Sequence, residues 1–325
     1  MNVRLPVPGG VLHAVRDVSL QVKAGQTLCL VGESGCGKSM TLLALMGLLP
    51  AAASVLAARM RFEAEDLQAK GVIEALRGRR IGMIFQDPLT AFNPTMTIGR
   101  QLEEVHLRHI GAGRPAARAK ALELLRRVGI GSPESRLSQY PHELSGGLRQ
   151  RAMIAMALMC DPKLLLADEP TTALDVTVQT QVLQLLKRLQ REFGIAIVFV
   201  THDLGVVAAM ADQIAVMYAG QVVETGAVRD VFRRPAHPYT RALFSCVPAA
   251  HGAGSSADRL GSIPGRVPSL IGAIDGCAFK DRCSMAIDEC AHGAIPVAPV
   301  GTGASARCIR LEPHLAEARE ALATA

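Results

Sequence analysis

The run Thr27-Leu-Cys-Leu-Val31-Gly32-Glu-Ser34-Gly35-Cys-Gly37-Lys38-Ser39 decides how the chain is read. A continuous apolar run bounded by turn residues reads as a buried strand, here Thr27–Val31. Gly32–Gly37 reads as a turn, and Lys38–Leu49 as a helix halted by Pro50. Strand, glycine turn and helix in that order are what a phosphate-binding loop requires. Gly32, Gly35 and Gly37, with Ser34 among them, let backbone N–H groups wrap the phosphates, and the helix N-terminus adds its dipole. Lys38 is placed to neutralise the β- and γ-phosphates, and the Ser39 hydroxyl to ligate Mg²⁺.

Outward from this loop, short β-rich runs alternate with longer helical ones through the first two-thirds of the chain. That alternation predicts an α/β fold with a largely parallel sheet. Lys163–Ala167 and Ile195–Val200 read as two more buried strands, and Ile214–Tyr218, Ala219-Gly220 and Gln221–Glu224 as a closing hairpin. Between Asp87 and Asp161 the pattern is mostly helical, with Gly, Pro and Arg clustered at 111–118, as in a helical subdomain inserted into an α/β core. After Pro248 the composition shifts. Ala249–Gly261 is rich in Gly, Ala and Ser and reads as a linker; the rest is loop-rich, carries four cysteines and ends in a helix at His314–Leu322. The expected organisation is a nucleotide-binding domain over 1–247 with its helical subdomain at about 88–160, a linker at 248–261, and an extension at 262–325.

Composition narrows the classes. The 325 residues are 49% apolar and 20% charged, so the chain can bury a core and wholesale disorder is excluded. The net charge of +6 is spread over 35 basic and 29 acidic residues, and the longest basic cluster, Arg77-Gly-Arg-Arg80, is too short for a nucleic-acid arm. Aromatics make up 3% with no Trp, a poor supply of base-stacking platforms. Met1–Gly10 lacks the charged start and apolar core of a secretory leader. Leu42–Ala58 is interrupted by Pro50 and Ser54 and is too short to span a membrane. A soluble protein whose cysteines are mostly thiols, metal ligands or buried apolar residues is expected.

Leu164-Leu-Leu-Ala-Asp168-Glu169 puts two carboxylates at the end of a buried strand. Asp168 has a natural partner in the Mg²⁺ shell, and Glu169 is placed to orient or deprotonate a water attacking the γ-phosphate; helix capping is the plainer alternative. Leu144-Ser145-Gly146-Gly147-Leu148-Arg149-Gln150 presents a serine and two glycines at a helix start, where N–H groups can meet a phosphate. Met153, Met156 and Met159 recur at helical spacing behind it and read as core filler. Cys36 stands in the loop where serine is commoner. A thiol at a helix N-terminus can be acidified and oxidisable, though size tolerance explains it as well.

On these strings the chain strongly resembles the ABC-type ATPases, with a P-loop nucleotide-binding domain made of a RecA-like core, an antiparallel β part and a helical subdomain. The signature there is LSGGQ-like, and this chain departs from it at Leu148. The resemblance implies that Ser145, Gly146 and Gly147 meet the nucleotide held by the opposite subunit's P-loop, so the chain must dimerise. Phe85-Gln86-Asp87-Pro88 resembles the Q-loop, with Gln86 near Mg²⁺ or water; Ala173-Leu174-Asp175 the D-loop, with Asp175 at the dimer interface; and Thr201-His202-Asp203 the switch histidine on the γ-phosphate. The aromatic that stacks on adenine in relatives falls at Leu5. Either the true start lies upstream or adenine packs on an aliphatic side chain, at a cost of about 1–3 kcal/mol per stacked base.

His237-Pro-Tyr239-Thr240, Ile263-Pro-Gly265 with Pro268-Ser-Leu270, and Gly276-Cys277-Ala-Phe279-Lys-Asp-Arg282-Cys283 resemble the extension of ATP-binding subunits in dipeptide, oligopeptide and nickel importers. Phe85–Pro94 and Tyr140–Gly147 match the same branch. Cys277, Cys283, Cys290 and Cys308 form C-x5-C-x6-C-x17-C, enough thiolates for an iron–sulfur cluster or tetrahedral zinc, or left as unligated thiols. The spacing lacks the short gaps of zinc ribbons, and the resemblance implies a [4Fe–4S] cluster, most simply a structural staple.

The resulting expectation is an ATP- and Mg²⁺-dependent ATPase that couples hydrolysis to import of short peptides. Its catalytic residues are Glu169 and His202. Its partners are a second, heterologous ATPase subunit, two membrane permeases and an extracytoplasmic peptide-binding protein, with no nucleic acid. It would sit peripherally on the cytoplasmic face of the inner membrane. Nickel or another small solute is the alternative cargo. A soluble ABC ATPase acting on DNA or ribosomes, and an iron–sulfur redox-regulated ATPase, are the alternatives of another class.

Overall fold

The computed structural model describes residues 1–172, 174–246 and 262–311, and the chain divides into two compact units. The linker expected at 248–261, the helix expected at His314–Leu322, and Ala173 lie outside the described residues.

The first unit comprises Met1–Gln21, Leu28–Arg61 and Thr201–Ala325. Its opening strands Asn2–Val7 and Gly10–Val15 pair antiparallel, and Ser54–Leu56 joins on the other edge of Asn2–Val7. Leu5, the position singled out for adenine, lies in the first of these strands opposite Leu12. Thr27–Val31 is buried throughout, as its unbroken apolar pattern requires, and runs parallel to Gln213–Tyr218. Gln213–Tyr218 and Gln221–Ala227 form the closing hairpin, longer than its apolar core suggested. Ala219 (φ 45°) and Gly220 (φ 81°) are both left-handed, the two-residue turn whose twist suits a hairpin.

The helix after the glycine loop runs Lys38–Leu45, shorter than the expected Lys38–Leu49. Gly47 ends it rather than Pro50. Gly47 adopts φ 62°, its N–H donates to Ala44 O at 3.2 Å, and the Leu48 N–H reaches back to Leu43 O at 2.9 Å. This pair of hydrogen bonds satisfies the last carbonyls of the helix and stops it one turn early.

Residues 262–311 carry only short turns and the strands Ala298–Gly301 and Ala304–Ala306, the latter paired antiparallel with Gln221–Ala227. They are stitched to the start of the chain. The His13 N–H donates to Leu270 O at 2.8 Å, the Gly272 N–H to Val11 O at 3.0 Å, and Arg307 pairs with Asp17 at 2.8 Å.

The second unit comprises Val22–Thr27 and Phe62–Val200. Ile81–Ile84, Leu164–Asp168 and the strand beginning at Ala196 run parallel, the middle one flanked by the other two. The last two start one residue later than read from the sequence. From Pro88 to Ala157 the regular structure is helical: Pro88–Ala91, Ile98–Ile110, Arg114–Arg127, Pro133–Arg136 and Gly146–Ala157. Leu102, Leu124, Leu125, Met153 and Met159 are wholly buried among these helices, each worth about 1.5–3 kcal/mol against exposure, so two methionines of the stripe are core while Met156 is half-buried. Val176–Phe193 is a longer amphipathic helix, capped by Asp175 at its start and by left-handed Gly194 at its end. Among the described residues no helix is long and apolar enough to cross a membrane.

Candidate functional site

In the first unit the glycine loop is shaped by steric necessity. A Cβ on Gly37 (φ 102°) would stand 2.3 Å from Ala14 O, and one on Gly32 would stand 2.1 Å from Met217 O. Gly35 is also left-handed, at φ 77°. Ser34 lies between these glycines, and Ser39 follows Lys38 in the first turn of the helix, which has Gly37 at its cap and no side chain closing its N-terminus. Lys38 is buried, and its Nζ donates to Gly32 O at 2.8 Å and Glu33 O at 3.0 Å, folding back across the loop. Burial pushes the Cys36 thiol up despite the nearby Lys38 ammonium, so the acidified, oxidisable thiol weighed from sequence is not found. His202 is exposed, next to Asp203, whose carboxylate caps the helix Leu204–Met210 through the Gly205 N–H at 2.7 Å.

In the second unit Asp168 ends its strand as a buried carboxylate, 7% exposed. Glu169 follows in a left-handed conformation (φ 42°), unusual for a residue with a side chain and a mark of a specialised position. Its N–H donates to Val200 O at 3.0 Å, and the Thr172 hydroxyl donates to Glu169 Oε2 at 2.8 Å. Thr172 was not singled out from the sequence; its place three residues after a carboxylate was the available signal.

Ser145 caps the helix Gly146–Ala157, its Oγ accepting from the Leu148 N–H at 3.4 Å. Gly147 sits against Val178, where an added Cβ would come within 3.0 Å. Asp175 caps Val176–Phe193 through the Val178 N–H at 2.9 Å. Gln86 is exposed after the strand Ile81–Ile84, beside Asp87, which caps Pro88–Ala91. Gln86, Asp87, Gly146, Arg149, Gln150 and Leu174 line one cleft, so the structure gathers the Q-loop-like, signature-like and D-loop-like segments within this unit.

The four C-terminal cysteines lie in the first unit. Cys290 is buried and the others half-buried, and the Cys277 N–H donates to Cys290 O at 2.8 Å. Burial pushes Cys277, Cys283 and Cys308 up, and each feels the charge of at least one other cysteine of the set. Among the described residues, however, no group of three or more His, Cys, Asp or Glu could hold a metal ion as placed. The thiols share one small region without forming a closed ligand set.

Two further residues of the extension's motifs are prominent. Tyr239 and Arg282 both reach Glu33 of the glycine loop, through hydrogen bonds across 206 and 249 positions of sequence. In the sequence these motifs stand only as marks of resemblance.

Comparison with known proteins gives matching results. The ABC transporter family model matches residues 15–172, and the model of the oligopeptide/dipeptide transporter C-terminal region matches 223–290. The dipeptide transport ATP-binding protein DppD of Bacillus subtilis is 48% identical over 89% of this chain and 87% of its own length. The oligopeptide transport ATP-binding protein OppD of Haemophilus influenzae is 48% identical over 89% of each chain. Among solved structures, a dimeric ATP-binding cassette in a post-hydrolysis state with ADP and Pi aligns with TM-score 0.59 and 28% identity, over 70% of this chain and 96% of that one.

Proposed function

Since the chain belongs to the family of ABC transporter ATP-binding proteins, an ATPase family, we propose that it is the energy-coupling subunit of an importer for short peptides. The observation that carries the cargo is the match of residues 223–290 to the oligopeptide/dipeptide transporter region, together with near-half identity to peptide-transport ATPases along most of the chain. No observation favours nickel, nucleic acid or a ribosome.

In this reading Gly32–Ser39 wraps the phosphates of ATP, and Lys38 leaves the Gly32 and Glu33 carbonyls to neutralise the terminal ones. Ser39, Gln86 and Asp168 offer hydroxyl, amide and carboxylate oxygens, the hard donors that suit Mg²⁺. When bound there, Mg²⁺ supplies charge neutralisation for the departing ADP. Glu169, held by its left-handed backbone and the Thr172 hydroxyl, takes the proton of the attacking water. The water oxygen bonds to the γ-phosphorus as the bond to the β-phosphate oxygen breaks. His202 holds the γ-phosphate. Ser145, Gly146 and Gly147, with Asp175, meet the nucleotide of a second cassette, so two ATPase subunits close face to face. Val176, 79% exposed immediately after Asp175, would offer apolar surface to that closure, and Leu89, 52% exposed, lines the same cleft as Gln86, where a permease helix would dock.

The partners in this reading are a second, heterologous ATPase subunit, two permeases and an extracytoplasmic peptide-binding protein, with the chain on the cytoplasmic face of the inner membrane. The domain limits of 1–247, 248–261 and 262–325 belong to the same proposal. So does a [4Fe–4S] cluster on Cys277, Cys283, Cys290 and Cys308. The nearness of Cys277 to Cys290, joined by a backbone hydrogen bond of 2.8 Å, supports it, and their described placement does not make a ligand set, so no step runs through it. Iron and acid-labile sulfide in anaerobically purified protein are the expected result, and zinc or no metal would remove the cluster. The ATPase assignment is tested by Glu169→Gln, which should bind ATP and lose most turnover. Near wild-type hydrolysis by that variant would overturn Glu169 as the base.

A further inference from the structure

Glu33, the second residue of the glycine loop, is restrained at three of its groups. Its N–H donates to the Tyr239 hydroxyl at 3.0 Å, its carbonyl accepts from Lys38 Nζ at 3.0 Å, and its carboxylate accepts from Arg282 Nη1 at 3.0 and 3.1 Å. Arg282 is itself enclosed, its side chain 5% exposed. Its other N–H groups donate to Pro264 O at 2.8 Å and Ile263 O at 3.1 Å, and Nη1 also reaches the Tyr218 hydroxyl at 3.3 Å. The guanidinium lies 5.7 Å from the Tyr218 ring centre and 6.0 Å from that of Phe279. Tyr218, Tyr239 and Phe279 pack against one another with centres 4.6–5.4 Å apart. The Ile-Pro-Gly, His-Pro-Tyr-Thr and Cys-x5-Cys strings therefore converge on one residue of the phosphate loop.

We propose that Arg282, seated on this aromatic cluster, is a positioning residue that fixes the glycine loop through Glu33 and so couples the C-terminal cysteine region to nucleotide affinity. The inference rests on Gly32–Ser39 being the nucleotide loop. A loop already ordered does not lose its freedom again when ATP binds, so a loop held at Glu33 binds more tightly than a loose one. Arg282 stands immediately before Cys283, and Phe279 two residues after Cys277, so any event that stiffens or loosens the cysteine region moves the same strut. By reciprocity, ATP that draws Lys38 off the Glu33 carbonyl must alter the order of the cysteine region in return. Lysine cannot replace Arg282 here, because the contact needs a planar fork that also stacks on rings.

The test is a double-mutant cycle on the full chain with mant-ATP binding and steady-state hydrolysis. Arg282→Gln and Glu33→Gln should each weaken mant-ATP binding by roughly tenfold, the loss of one charge-assisted contact, while kcat of Arg282→Gln at saturating ATP stays within about twofold. The double variant should be no worse than either single one. Hydrogen exchange over residues 276–290 should change on adding ATP to the wild-type chain and not to Arg282→Gln. Should Arg282→Gln fail to fold, Tyr239→Phe, which removes a single hydroxyl, carries the test with the same expected weakening. Unchanged affinity in the variants, additive losses, or exchange at 276–290 indifferent to ATP would overturn the strut while leaving the nucleotide assignment intact. A wild-type chain that fails to bind mant-ATP would remove both.

Discussion

At the scale of single residues, His237 gives the clearest pH signature. Its Nδ1 accepts from the Tyr239 N–H at 3.0 Å, so the capping role needs the neutral ring, and burial pushes its pKa down to about 3 from 6.5. Between those values the unfolded chain takes up a proton that the native one refuses. This contribution to stability is whole above about pH 6.5 and falls as the pH drops toward 3, by up to about 1.4 kcal/mol per unit. Glu224, whose carboxylate accepts from the His237 N–H, has its pKa raised by burial and slopes the opposite way above the usual carboxylate range. The comparison that isolates the histidine is therefore His237→Asn, a residue that can also cap. Thermal midpoints of wild type should fall more steeply than those of the variant from pH 6.5 to 4.5, and parallel curves would refute the assignment. Gly37→Ala belongs to this scale too. With φ 102° and a backbone oxygen 2.3 Å from the new Cβ, it should abolish ATP binding and cost about 1–3 kcal/mol in strain, read by nucleotide titration and chemical denaturation. The residues of contiguous motifs were legible: Lys38, Asp168 and Glu169 each sit at or just past the end of an element read from their neighbours, whereas the strand Ile81–Ile84 before Gln86 was not read from the sequence. Arg282 and Glu33 were not, since a pairing across 249 positions is chosen by the fold and leaves no local pattern.

Among the elements, the buried strands were the most legible, because a strand covered on both faces needs a continuous apolar run, and Leu28–Val31 and Leu164–Ala167 supply one in Thr27–Val31 and Leu164–Asp168. The helix after the glycine loop was misjudged at its end. Pro50 is a strong breaker, but Gly47 reaches the left-handed cap first and satisfies the last carbonyls there. Gly47→Ala should consequently destabilise the first unit by about 1 kcal/mol, seen as a lowered denaturation midpoint, with ATP affinity little changed because the loop lies at the other end. Equal stability would mean that Pro50, not Gly47, ends the helix. The signature serine shows how one side chain serves two readings. Ser145 caps its helix, as any serine there would, and the same geometry presents that helix's first N–H groups to a phosphate. Capping was readable from Ser145 alone; the cleft it shares with Gln86 and Leu174 required the folded unit.

For the whole molecule, the extension is built into the first unit rather than hung from it. Its strand Ala304–Ala306 continues the hairpin, Arg307 holds Asp17, and Leu270 and Gly272 bond to the second strand of the chain. A loop-rich composition with four cysteines suggested a separate small module, because short strands and side-chain-to-backbone bonds leave almost no periodicity to read. What this molecule drives is decided by the proteins it works with, and that is the central claim. The direct measurement is a tagged pull-down from gently detergent-solubilised membranes, every co-purifying chain identified, with ATP hydrolysis assayed with and without short peptides and the co-purified binding protein. Two hydrophobic permeases, a second ATPase and hydrolysis raised by peptide are expected. Recovery of this chain alone or with nucleic acid, and hydrolysis indifferent to peptide, would contradict the importer and leave an ATPase of another purpose.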